Sequence, residues 1–150
     1  MQVPRQHLIT SPLERWLTIL GAVGCLILTV ILWLSLSPLQ NMWPLPGLYF
    51  TEMVALSMLS AFVVISGDPR SPFITWGTAG IMSGFSILGS LSVGFLYLPI
   101  ALIFFVISLT SDLRNGRRIG PHVVLFLLAG ITQCALMIAA IPWHHSGAVF

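Results

Sequence analysis

The chain has 150 residues, of which 57% are hydrophobic and only 7% charged, with a mean hydropathy of +0.99. A soluble domain cannot hide that much apolar surface behind so few charges, so a water-soluble fold is excluded and a bilayer is the expected solvent. The formal net charge of +2 is too small to serve a nucleic-acid surface, and no nucleic-acid partner is expected.

Nine of the ten charged residues fall in three islands, Arg5 to Arg15, Asp68 to Arg70 and Asp112 to Arg118, and Glu52 stands alone. Every basic residue outside histidine is arginine. The apolar stretches between the islands are too long for soluble core helices. The pattern therefore predicts an all-α, polytopic membrane protein, a single bundle over residues 1–150 with the lipid bilayer as its first partner.

Span 1 is predicted over about 16–36. Ser11-Pro12-Leu13-Glu14 reads as a capping box with proline at N1, which starts the helix before the membrane and leaves Arg15 and Trp16 at the interface. The apolar run continues past Cys25 to Leu36, longer than a signal h-region, so an uncleaved first span is expected. Pro38, Trp43, Pro44 and Pro46 mark an interfacial loop.

Span 2 is predicted over about 47–66 and ends at the turn signal Gly67-Asp68-Pro69. Ser71-Pro72 restarts a helix with the same serine-cap-then-proline pattern as Ser11-Pro12. No charge follows until Asp112, and one helix from Ser71 to Ser111 would be about 60 Å long, twice the hydrocarbon thickness. The run is therefore split into spans 3 and 4, about 73–88 and 93–110, with the turn at Gly89-Ser90-Leu91-Ser92. Pro99 is expected to kink span 4 near Phe95. Span 5 is predicted over about 123–141, opened by Gly120-Pro121 and closed by Pro142, with Trp143 at the interface.

Five spans with the N-terminus in the cytoplasm and the C-terminus outside keep all six arginines on the cytoplasmic side, as the positive-inside tendency asks. Four spans would carry Arg114, Arg117 and Arg118 across. These three form a cytoplasmic patch suited to an anionic lipid or a partner protein. A prokaryotic plasma membrane is the expected location.

Ser11-Pro12-Leu13-x-x-Trp16-x-Thr18 recurs as Ser71-Pro72-Phe73-x-x-Trp76-x-Thr78. One reading is a duplication that makes two parallel helical hairpins plus one added helix. The other is that any helix starting at this interface gains from a serine, a proline and a tryptophan.

Gly77, Gly80 and Gly84 fall along one face of span 3, and Gly80-x-x-x-Gly84 is the spacing that admits close helix approach. Gly21, Gly24 and the Ala135-x-x-x-Ala139 pair are read the same way. Packing inside the bundle is the first expectation, a homo-oligomer or membrane-protein interface the second.

Glu52 is the ionisable residue placed inside a span, and such a carboxylate is a functional hypothesis by default. Gln133, His144 and His145 lie toward the same side and are its candidate partners. The competing reading leaves Glu52 shallow, beside Tyr49 and Trp43 at the interface. No two histidines share a depth as paired haem ligands would, and His144-His145 lacks companion metal ligands in sequence. No catalytic residue, cofactor or metal is assigned. The expected function is that of a non-catalytic accessory or structural subunit of a membrane assembly; the alternative is a small transporter or proton- or ion-coupled carrier using Glu52.

Overall fold

The computed structural model describes the backbone of residues 11–36, 45–91 and 93–146. The Pro38 to Pro44 loop, Ser92 and the N-terminal tail with His7 lie outside the described residues, as do the side chains from 140 onward. Five α-helices follow one another: α1 Pro12–Leu36, α2 Leu45–Ser66, α3 Ser71–Leu88, α4 Leu98–Arg114 and α5 Ile119–Ser146. Four apolar segments are long enough to cross a membrane: Pro12–Leu36, Gly47–Ser66, Gly94–Arg114 and Ile119–Ala139. The fifth helix, α3, has 18 residues and buries many of them, including Thr75, Trp76, Thr78, Gly80 and Ser86. Its small and hydroxylic residues face protein on most sides, so it needs less apolar surface than a helix facing lipid.

α1 packs on α2, α2 on α3, α3 on α4 and α4 back on α1, which closes a four-helix ring; α5 lies outside it, chiefly against α3. The ring is filled by Cys25, Phe50, Met53, Met82, Phe85, Tyr97 and Phe104. Polar groups in the interior are bonded to one another. Thr29 Oγ1 and Tyr97 Oη lie 2.8 Å apart, as do Ser60 Oγ and Thr78 Oγ1, while Thr18 and Ser108 donate to the carbonyls of Glu14 and Phe104.

The capping box forms as the sequence asks. Glu14 N–H donates to Ser11 Oγ at 3.2 Å, and Ser11 N–H donates back to Glu14 Oε2 at 3.1 Å. The second serine does not repeat it. Ser71 is already helical, and Arg70, in the cap position, makes no side-chain cap bond. Asp68 shapes that turn instead, accepting Arg70 N–H on its carboxylate and Ser71 N–H on its carbonyl. The two matched tryptophans also differ: Trp16 is 72% exposed and Trp76 is 0% exposed. A ring of two hairpins suits a duplication, and it equally suits any up-and-down bundle.

The split of the long uncharged run falls where the glycines stand. α3 ends at Leu88, a 3₁₀ turn covers Gly89–Leu91, a second covers Gly94–Tyr97, and α4 follows. A Cβ on Gly89 would meet Gly94 Cα at 2.8 Å, so both must be glycine for the chain to fold back this tightly. Pro99 falls in the first turn of α4 rather than kinking it, because the 3₁₀ segment before it leaves the proline where no amide hydrogen is needed. Pro142 does not close α5, whose backbone stays helical to Ser146. A proline removes one hydrogen bond, which a membrane helix tolerates.

Candidate functional site

Two polar clusters join α5 to the ring. The first was not visible as a site in the sequence. α4 extends to Arg114, so Asp112 belongs to its last turn and not to a loop, and its side chain is 0% exposed. Trp76 Nε1–H of α3 donates to Asp112 Oδ2 at 2.8 Å, and His122 Nδ1 of α5 lies 2.6 Å from the same oxygen. The role of each ring nitrogen follows the tautomer, and an imidazole that donates through Nδ1 is oriented by the carboxylate. The His122 ring meets Phe73 edge-on at 4.8 Å between centroids, and Phe105 and Phe126 pack edge-on against Trp76. Asp112 Oδ1 is the buried side-chain oxygen left without a hydrogen-bond partner among the described residues.

Beside this cluster Arg114 Nη2 donates to Glu14 Oε2 at 2.8 Å, tying the end of α4 to the start of α1. Glu14 is therefore both helix cap and ion-pair partner. Since α1, α3 and α5 start here and α4 ends here, the described residues of the three charged islands gather at one end of the bundle. Arg114 of the predicted lipid patch is thus engaged within the fold, while Arg118 is exposed and Arg117 half-buried.

The second cluster is the expected one. Gln133 Nε2–H of α5 donates to Glu52 Oε2 of α2 at 3.1 Å. Gln133 is buried, and Glu52 is half-buried with Tyr49 one turn away. The helices themselves do not pack: among the described residues, no Cα of α2 comes within 8 Å of a Cα of α5. The bond is a strut across the flank of α3. His144 and His145 lie in the last turn of α5, and their side chains are outside the described residues.

The glycines sort themselves along α3. A Cβ at Gly80 would collide with the Phe126 carbonyl, and one at Gly84 would lie 2.6 Å from the Gly130 carbonyl oxygen, so these two seat α5. Gly77 does not: a Cβ there would meet nothing within 4 Å. The reason is where α5 lies. Near the charged end α5 lies over Phe73 and Trp76, and further along over Gly80 and Gly84, and Gly77 falls to one side of that line. Gly21 packs against Phe104 and Ile103 at 3.4 Å, Gly24 has open space, and Ala135 and Ala139 are exposed.

Within α5 through Ala139, His122 and Gln133 are the side chains that are buried, and each meets a carboxylate on a different ring helix. Their spacing of eleven residues is about three helical turns, which puts both on one face. Among the described residues no group of three His, Cys, Asp or Glu is placed to hold a metal. Chemically, the clusters offer a carboxylate-oriented imidazole and a carboxylate–amide pair.

No known protein family, curated protein or solved structure matches the chain.

Proposed function

We propose that the chain is a five-span integral membrane protein, N-terminus in the cytoplasm, that acts as a non-catalytic accessory or structural subunit of a membrane assembly. The supporting observation is the place of Glu52. It lies on the flank of the bundle, bonded to Gln133, while the ring centre is filled by Phe50, Met53, Tyr97 and Phe104. A carrier needs a charged group facing an internal path; a subunit needs a polar feature where a neighbour can meet it. The arginines gathered at one end support the cytoplasmic orientation, and Arg117 and Arg118 suit anionic headgroups there.

The second reading, a proton- or ion-coupled carrier, is favoured by the Glu52–Gln133 pair itself. Reconstituted proteoliposomes separate the two. A subunit leaves an imposed pH or cation gradient as stable as in protein-free vesicles. A carrier dissipates it, and Glu52→Gln abolishes the flux. In native membranes the subunit reading requires migration in a complex of defined stoichiometry rather than alone.

A further inference from the structure

Between α2 and α5 the outer face of α3 is only partly covered. Gly80 and Gly84 point at α5, while Thr78, bonded to Ser60, and Phe85, packed on Tyr49, point at α2. At about 100° per residue, Gly77, Ile81 and Leu88 fall in the sector between. Leu88 is 37% exposed, Ile81 is half-buried and Gly77 faces open space. The Glu52–Gln133 strut spans this sector at one end, and Gly77 leaves space at the other.

We infer that this groove seats one transmembrane helix of a partner protein, which carries a basic or hydrogen-bond-donating side chain at the depth of Glu52. Charge complementarity selects that occupant. A carboxylate has about four acceptor positions, and Gln133 donates to one of the Glu52 oxygens. Glu52 is half-buried on α2 beside the groove, where an acyl chain offers no donor and a polar group left unpaired in hydrocarbon costs free energy. A helix with a donor completes the carboxylate, and the notch at Gly77 lets its backbone come close. The inference rests on the subunit reading and names the surface through which the subunit joins its assembly.

A photo-crosslinking residue placed at Ile81 of the full chain, in native membranes, tests it, with the exposed Val30 on α1 as control. The expected product joins Ile81 to a transmembrane segment of another protein, with a donor side chain within one turn of the Glu52 level, and Val30 gives no such product. Glu52→Gln keeps a partner for Gln133 and removes the charge; it lowers the yield about tenfold, the effect of one intramembrane charge-assisted bond. Products with lipid alone, products with a second copy of this chain, or a yield indifferent to Glu52→Gln overturn the assignment. If the chain migrates in a larger complex and crosslinks only from Val30, the groove is wrong and the subunit reading stands. If it migrates alone, the subunit reading itself fails.

Discussion

Asp112 and His122, ten residues apart across the α4–α5 turn, meet at 2.6 Å on an oxygen that Trp76 also binds. Three helices thus converge on one buried carboxylate. A single carboxylate oxygen accepting two bonds in a dry site is a strong local constraint, and losing it strands both donors.

Asp112→Leu is therefore expected to destabilise the protein by about 2–5 kcal/mol, since it leaves the Trp76 and His122 nitrogens buried without an acceptor. Trp76→Phe removes one donor, and about 1–2 kcal/mol is expected from the bond. Thermal unfolding in detergent, followed by near-UV circular dichroism, measures both. Equal midpoints for Asp112→Leu and the parent chain would remove the cluster from the account of stability.

Two α3 glycines about two turns apart should behave in opposite ways. Gly84→Val pushes a side chain into the Gly130 carbonyl and is expected to dislodge α5; Gly77→Val meets open space and is expected to leave folding within about 0.5 kcal/mol. Protease sensitivity of the α4–α5 turn reports the difference. The same sensitivity in both variants would argue against the seating of α5 on Gly84.

Glu52→Gln and Glu52→Leu differ in what they leave for Gln133. The amide preserves a hydrogen-bond partner across the groove, whereas leucine removes it at a cost of about 1–2 kcal/mol in a membrane setting. Spin labels on the exposed Leu59 of α2 and Leu136 of α5 should give the parent distance distribution in Glu52→Gln and a broader one in Glu52→Leu.

The fold-back at Gly89 and Gly94 makes a topological prediction. Cysteines introduced at Ser90 and Asn115 should be labelled by impermeant reagents from opposite sides of the membrane, Ser90 from outside. Labelling of Asn115 from outside, with Ser90 inaccessible, would remove the five-span arrangement.

How far the sequence reached depends on the kind of signal. The capping box, the glycine turn and the long apolar runs are local, and each appears where the residues placed it. Glu52 and Gln133 were matched by depth alone, and depth is readable because membrane helices share one slab. Asp112 was missed for the opposite reason. Charge near a span end reads as loop, and only the extension of α4 to Arg114 turns that carboxylate inward. Gly77 was grouped with its neighbours because helical periodicity gives a face and not a crossing angle. Pro99 and Pro142 show the same gap, since what a proline does depends on where the helix around it begins and ends.

Both acceptors that hold α5, Asp112 and Glu52, belong to helices synthesised before it. During biogenesis α5 would find its anchors only if α2 and α4 already stood at the right depth and rotation. A misplaced earlier helix would leave α5 with a histidine and a glutamine stripped of their carboxylate partners. The docking of α5 can thus serve as a built-in inspection step for the four helices before it.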